Sequence, residues 1–248
     1  MDLLGRILLI TSGKGGSGKS TFAVNCGVAL AQRGRKVLLI DADMGLRSLD
    51  LLLGVSDRVI YDISDVLSGN CETGKAIIVT DYHDLHLLPA PQTDCDDMSD
   101  SEVICKLYKG LSTYYDYILI DSPAGIGLNI TAPVPVAYCT LVVATGDPVC
   151  IRDAERTAQV LRAKGASSIR LVLNRIDPKL IRKKVLPDID TAIDGTTIQL
   201  IGLVPDDRHI TIAAAVGKPV TVFRKGAAIA FRNIAARLDG ENVPLMKL

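Results

Sequence analysis

Short apolar segments alternate with amphipathic segments along most of this chain. The apolar segments are rich in Ile, Val and Leu without polar alternation, which is typical of parallel strands covered on both faces. They predict strands at 6–11, 36–40, 85–88, 117–120, 141–144, 169–173 and 200–204. Between them, the spacing of apolar residues predicts helices at 20–32, 99–111, 152–164 and 226–238. Gly34 and Gly165 follow two of these helices, where a left-handed C-cap favours glycine.

Regular alternation of strand and helix implies right-handed crossovers between parallel strands. The pattern therefore predicts an α/β fold with a doubly wound, mainly parallel sheet and helices on both faces. The 248 residues contain no internal repeat and no linker-like stretch. We expect one domain that spans residues 1–248.

Composition excludes several classes of protein. The formal net charge is zero, which argues against DNA binding through bulk electrostatics. No clean apolar run of about 20 residues occurs, so no membrane-spanning helix is expected. The six cysteines are irregularly spaced and include no CxxC pair, which favours reduced thiols over disulfides or a metal site.

A glycine-rich segment lies between the first predicted strand and the first predicted helix. It matches G-x-x-x-x-G-K-[ST] and comprises Gly13, Lys14, Gly15, Gly16, Ser17, Gly18, Lys19 and Ser20. Such glycines let backbone N–H groups point at a phosphate, and the helix N-terminus adds positive potential. We expect Lys19 to contact the β- and γ-phosphates of ATP, Ser20 to ligate Mg²⁺ and Thr21 to reach the α-phosphate. A glycine-rich turn without a ligand is the alternative.

Three aspartates follow predicted strands. Asp41 and Asp43 come after the second strand, and Asp121 ends the strand predicted at 117–120. Ligands of open α/β sheets bind beyond the carboxyl ends of the strands, so these carboxylates should lie near the phosphates. An aspartate after four apolar residues has the form that holds Mg²⁺ through water, which is the role expected of Asp121. Each aspartate alone could instead be a helix cap.

Glycines and an amide mark two further parts of the site. Gly125 and Gly127 would let the loop after Asp121 move when the γ-phosphate leaves. Asn174 ends the strand predicted at 169–173, and its amide can both donate to and accept from the edge of adenine. Asn174 could equally be a turn residue.

The segment Lys14–Ser20 reads KGGxGK[ST] and resembles the deviant Walker A family of P-loop ATPases, which includes the ParA and MinD proteins. Residues 41–50 resemble the MinD pattern D-x-D-x-G-L-R-N-L-D with Ser48 in place of Asn, and residues 121–126 match D-S-P-A-G-I. This resemblance implies that ATP lies between two subunits and that Lys14 acts in trans. It also implies that Asp43 orients the attacking water and Asp41 supports the magnesium shell.

The resemblance extends from residue 6 to about residue 240 and carries functional expectations. It implies an ATP hydrolase that is slow without a partner, an ATP-dependent homodimer and a role in choosing the cell-division site. Pro205 and Asp206 resemble the residues that flank the purine. Arg152, Asp153 and Glu155 lie where the MinD proteins contact their partners, which implies binding of a MinC-like division inhibitor and of a topological regulator. Arg152 and Asp153 could instead be an exposed first helical turn.

The C-terminal residues and one glycine depart from the family pattern. MinD proteins usually end in a short amphipathic membrane helix, whereas residues 242–248 form a Pro-containing stretch without one. We expect that this helix is truncated or absent, and that the protein is cytoplasmic and peripheral at the inner face of the membrane if the tail exists. Gly127 stands where many relatives have Glu.

Three alternatives remain at this stage. A ParA-type partition ATPase usually has D-x-Q-G after the second strand, which this chain lacks. An electron carrier like the nitrogenase reductase needs a cysteine shortly after Asp121, but residues 122–131 contain none. An adaptor that binds ATP and hardly hydrolyses it is the third alternative, because turnover in such switches generally requires a partner.

Overall fold

A single mixed sheet organises the chain. The structure is a computed structural model that describes residues 4–44, 47–91, 101–125, 132–223 and 225–246. Eight strands occur in these ranges, in the order β3-β4-β2-β5-β1-β6-β7-β8, and all neighbours are parallel except β3 and β4. The strands are β1 (Arg6–Thr11), β2 (Val37–Asp41), β3 (Ile78–Val79), β4 (Leu85–Leu88), β5 (Tyr117–Asp121), β6 (Cys139–Thr145), β7 (Ile169–Ile176) and β8 (Leu200–Pro205).

Ten α-helices lie in the described ranges. They are α1 (Lys19–Ala31), α2 (Leu49–Leu53), α3 (Ile63–Leu67), α4 (Thr73–Ala76), α5 (Ser101–Leu111), α6 (Pro148–Ala163), α7 (Pro178–Arg182), α8 (Ile189–Thr196), α9 (Arg208–Ala215) and α10 (Ala227–Leu238). Short 3₁₀ turns lie at Ser56–Arg58, Val134–Val136 and Val220–Val222. The helices are distributed over both faces of the sheet. Strands β2–β5 lie on one side of β1 and strands β6–β8 lie on the other, so the sheet is doubly wound.

Alternate residues of the central strands enter two separate cores. In β1, Leu8 and Ile10 pack with α1, α2, α9 and α10, whereas Ile7 and Leu9 pack with α3, α4, α5, α6 and α8. All five residues of β2 and all five of β5 are buried. This double burial explains why the sequence of these strands lacks polar alternation.

The predicted fold class is confirmed, and all seven predicted strands are present with ends that shift by up to three residues. The sequence analysis missed β3, an antiparallel edge strand of two residues, and the short helices α2–α4 and α7–α9. Helix α6 starts earlier than predicted because Asp147 caps it and Pro148 takes its first position. The predicted start of α5 at residues 99–100 lies outside the described residues.

Candidate functional site

The carboxyl ends of three adjacent strands form the centre of the site. Strand β5 lies between β1 and β2, and Asp41 is the register partner of Asp121. Ile10, at the end of β1, pairs with Asp121 on the other side. The glycine-rich segment continues directly from β1, so the predicted phosphate loop and two of the predicted aspartates share one edge of the sheet.

The phosphate loop is held by two left-handed glycines. Gly16 has φ 78° and Gly18 has φ 90°, conformations that residues with a Cβ rarely adopt. Gly18 is the N-cap of α1, and Lys19 is its first residue. The first N–H groups of a helix have no partner within the helix, so α1 directs them into the loop. Lys19 is only 7% exposed, and its positive charge acts on Asp43 and Asp121.

Asp41 accepts hydrogen bonds from backbone groups next to β2 and at the start of α2. Its Oδ1 accepts a hydrogen bond from the backbone N–H of Asp43 at 3.1 Å, and its Oδ2 accepts from Ser48 at 3.0 Å and Leu49 at 3.1 Å. Asp41 therefore caps the first turn of α2, which is one of the two roles expected of this residue. Burial raises its pKa to about 6, while these hydrogen bonds hold it down. A supporting role in a magnesium shell stays a prediction.

Asp121 is buried without a hydrogen-bond donor of ordinary geometry. Among the residues that the structure describes, neither carboxylate oxygen meets a donor with ordinary hydrogen-bond geometry, although the Ser20 hydroxyl lies nearby. Burial raises the pKa of Asp121 to about 7; the charges of Asp41 and Asp43 contribute, whereas the nearby Ser20 hydroxyl and the Lys19 ammonium lower it. Asp43 is half-buried, and burial raises its pKa while the charge of Lys19 opposes the rise. This edge of the sheet therefore gathers three carboxyl groups, which Lys19 compensates in part.

The segment after β5 is tied to the phosphate loop. Ser122 donates from its Oγ to the carbonyl of Ile10 at 2.9 Å, and the N–H of Gly125 donates to the carbonyl of Ser12 at 3.0 Å. Gly125 has φ 104°, in the left-handed region that a hinge glycine favours. The other expected hinge residue, Gly127, lies outside the described residues.

Helix α6 packs directly against the start of the phosphate loop. A Cβ on Gly13 would lie 2.6 Å from the carbonyl oxygen of Asp153, so only glycine fits there. Lys14 is exposed at the loop surface. The positive charge of Lys14 also reaches Asp147: burial would raise the pKa of Asp147, but its hydrogen bonds from Thr145 and Cys150, together with Lys14, lower it to about 2.

The side of the site expected to hold adenine is built from the ends of β7 and β8. Asn174 is 5% exposed, and its Nδ2 donates to the carbonyl of Ser17 at 2.8 Å. Pro205 is half-buried and Asp206 is exposed. The neighbouring Asp207 caps α9 and also accepts a hydrogen bond from the N–H of Ala227 at 3.0 Å. The predicted contacts of Asn174, Pro205 and Asp206 with the base stay predictions.

The predicted partner surface lies on α6. Arg152 is exposed, whereas Asp153 and Glu155 are half-buried. Gln159 donates to Glu155 at 3.3 Å on the same helix. A groove of about 270 Å³ runs along this helix, and it is lined by Pro148, Ile151, Arg152, Glu155, Pro187, Thr191, Ala192 and Gly195.

Sequence reasoning missed two residues that shape the site. Asp147 lies within reach of the charge of Lys14, and Asp207 joins α9 to α10. The sequence Asp147–Pro148 was a usable signal, because a cap residue followed by proline is typical of a helix start. No comparable sequence signal indicates that Asp207, and not Asp206, caps α9 and bonds to α10.

The donor set suits Mg²⁺ that is held mainly by phosphate and water. No group of three or more His, Cys, Asp or Glu side chains able to hold a metal occurs within the described ranges. Mg²⁺ usually keeps several waters and binds through one or two carboxylates plus substrate phosphates. The unpartnered carboxylate of Asp121 and the Ser20 hydroxyl beside it fit that arrangement.

Comparisons with known proteins agree on one family. Residues 8–220 match the model of the CobQ/CobB/MinD/ParA nucleotide binding domain. The septum site-determining protein MinD of Synechocystis is 39% identical over 246 residues, which cover 98% of this chain and 92% of that protein. The MinC:MinD cell division complex of Aquifex aeolicus matches with a TM-score of 0.88 and 35% identity, covering 98% of this chain and 99% of that one. MinD of Pyrococcus horikoshii, complexed with Mg-ADP, matches with a TM-score of 0.85 and 31% identity over 95% of this chain and 96% of that one.

Within the described residues, no helix combines the length and the apolar character that a membrane span requires.

Proposed function

Since this chain belongs to the MinD branch of the CobQ/CobB/MinD/ParA nucleotide-binding family, we propose that it is a septum site-determining ATPase. It acts in the selection of the division site as an ATP-dependent switch that recruits a division inhibitor. The observation that carries this proposal is the phosphate loop after β1, joined at one sheet edge by Asp41 and Asp121. The partition ATPases share the fold, but residues 41–50 follow the MinD pattern.

The reaction is hydrolysis of ATP to ADP and phosphate. Lys19 and the N–H groups at the start of α1 bind the β- and γ-phosphates, and their positive potential stabilises charge that develops on these oxygens. Asp43 is half-buried beside Lys19 and orients the attacking water. Thr21 binds the α-phosphate, while Asn174, Pro205 and Asp206 flank the base.

A magnesium ion is the cofactor that this site suits. Mg²⁺ neutralises negative charge on the β- and γ-phosphate oxygens when it is bound. Ser20 would hold it directly, Asp121 would hold it through water, and Asp41 would support its shell. The Mg-ADP bound by the MinD of Pyrococcus horikoshii is consistent with this choice.

Lys14 makes the switch depend on dimerisation. It is exposed on the outer side of the phosphate loop, whereas Lys19 is buried inside it. A cation in this position can reach the phosphates of a second subunit, in the manner of an arginine finger. ATP therefore favours a homodimer in which each Lys14 completes the partner's site, and ADP does not.

The partner surface is the start of α6. Arg152 and Glu155 lie beside a groove on this helix, and Asp153 packs on Gly13 of the phosphate loop. A MinC-like division inhibitor binds there, as does a topological regulator that stimulates hydrolysis. The Aquifex aeolicus MinC:MinD complex supports the first of these partners. If the native chain carries an amphipathic C-terminal tail, the dimer attaches through it to the inner face of the membrane.

Size-exclusion chromatography with light scattering tests the switch. In an Asp43→Ala background, ATP should convert monomers to dimers and ADP should not. Replacing Lys14 by Ala should abolish this dimer while nucleotide still binds, because Lys19 and the backbone cradle remain. The loss of a cation that acts in trans should also lower partner-stimulated hydrolysis by about 10³–10⁵-fold. A Lys14→Ala protein that dimerises and hydrolyses ATP normally would contradict the role in trans.

A further inference from the structure

Asn174 connects the two halves of the nucleotide site through one buried hydrogen bond. Its Nδ2 donates to the carbonyl oxygen of Ser17 at 2.8 Å, although the two residues are 157 positions apart in the chain. The residue is only 5% exposed, so this bond is largely shielded from water. A strand end expected to contact the base thus also holds the phosphate loop.

Gly18 provides the space for this contact. A Cβ on Gly18 would lie 2.4 Å from the Nδ2 of Asn174, which is closer than side-chain atoms can approach. Gly18 also has φ 90° and caps α1 immediately before Lys19. The amide of Asn174 therefore lies against the last two loop residues that precede the phosphate-binding lysine.

The peptide geometry gives the bond a specific consequence. The peptide between Ser17 and Gly18 is planar and trans, so its carbonyl oxygen and its N–H point in opposite directions. Holding the Ser17 carbonyl on Asn174 consequently fixes the direction of the Gly18 N–H, which points away from Asn174. Without this anchor, the peptide could rotate and the loop would lose one preset donor for the phosphates.

We infer that Asn174 is a positioning residue of the phosphate loop, and that it couples occupancy of the base site to the geometry of the phosphate site. This inference rests on the proposed function, because it assumes that the loop binds nucleotide. One N–H of Asn174 is used by Ser17, while its second N–H and its Oδ1 remain for the edge of the base. A bound base orders the same side chain that orders the loop.

Calorimetric titration with Mg²⁺-tripolyphosphate, which has the phosphates but no base, separates positioning from base recognition. Asn174→Ala should weaken binding of tripolyphosphate and of Mg²⁺-ATP by about tenfold or more, because the buried Ser17 carbonyl loses its donor. Asp206→Ala is the comparison on the base side: it should weaken ATP and leave tripolyphosphate within about twofold of the original protein.

Amide hydrogen exchange supplies a readout that needs no ligand. The peptide that covers residues 13–20 should exchange faster in Asn174→Ala than in the original protein, while circular dichroism reports an intact fold. Asn174→Ser gives the same comparisons if the alanine variant does not fold, because its short hydroxyl cannot span the distance to Ser17.

Two outcomes would overturn the inference. One is that Asn174→Ala binds tripolyphosphate as tightly as the original protein and loses affinity for ATP alone, which would make Asn174 a base ligand only. The other is unchanged amide exchange in residues 13–20. If the original protein bound neither ligand, the proposed function would fail instead, and the exchange experiment would still decide the role of Asn174 in the loop.

Discussion

Replacing Gly13 by Ala tests whether helix α6 sets the position of the phosphate loop. Gly13 is the first residue of the loop, and its backbone lies against Asp153 in the second turn of α6. An added Cβ would lie 2.6 Å from the carbonyl oxygen of Asp153, 2.7 Å from its carbonyl carbon and 2.8 Å from its Cβ. Two of these three atoms belong to the helix backbone, so no rotamer change relieves the clash.

The loss of stability in Gly13→Ala depends on whether the loop or helix α6 shifts to relieve the clash. The carbonyl of Asp153 also accepts the hydroxyl of Thr157 at 2.7 Å, which leaves this turn little freedom. An overpacked methyl group typically costs about 1–3 kcal/mol of unfolding free energy. Each kcal/mol lowers the melting temperature of a domain of this size by roughly 2–4 °C, which predicts a decrease of about 2–12 °C.

Thermal unfolding without nucleotide measures this decrease, and Gly15→Ala is the matched control. A Cβ on Gly15 would meet nothing within 4 Å, so this variant should melt within about 1 °C of the original protein. Titration of Mg²⁺-ATP should then show weaker binding by Gly13→Ala, because the shifted loop misplaces its N–H groups. If Gly13→Ala melts and binds ATP like the original protein, α6 does not position the loop.

Two further predictions concern the Asp41 cap of α2 and binding to the membrane. Asp41→Asn replaces one acceptor oxygen by an NH₂ group and should destabilise the cap of α2 by about 0.5–2 kcal/mol. Hydrogen exchange in residues 47–53 should then accelerate, and unchanged protection there would contradict the capping role of Asp41. If the native reading frame adds an amphipathic tail after residue 248, the extended protein should sediment with anionic vesicles under ATP and remain in the supernatant under ADP, because a dimer engages two tails together. Equal sedimentation under both nucleotides would argue against control of membrane binding by the bound nucleotide.

Features that depend on local pattern could be predicted from the sequence. The buried strands β2 and β5 are uniformly apolar because helices cover both faces, and the phosphate loop has a fixed spacing of glycines and lysine. Strand β3 could not be predicted, because two residues carry no periodicity and its pairing with β4 is decided by tertiary packing. The bond between Asn174 and Ser17 joins residues 157 positions apart, and no local signal predicts it.

Aspartates at strand ends illustrate why residue type alone leaves a role open. Asp41 and Asp121 are register partners and both are fully buried. Both carboxylate oxygens of Asp41 accept hydrogen bonds from the backbone N–H groups of Asp43, Ser48 and Leu49. The carboxylate oxygens of Asp121, in contrast, have no donor of ordinary geometry among the described residues. The first carboxylate is thus already stabilised by the fold, and the second gains most from a cation. A change in the charge at Asp121 would reach α2 through Asp41, because Asp41 is the register partner of Asp121 and its carboxylate also holds the first turn of that helix.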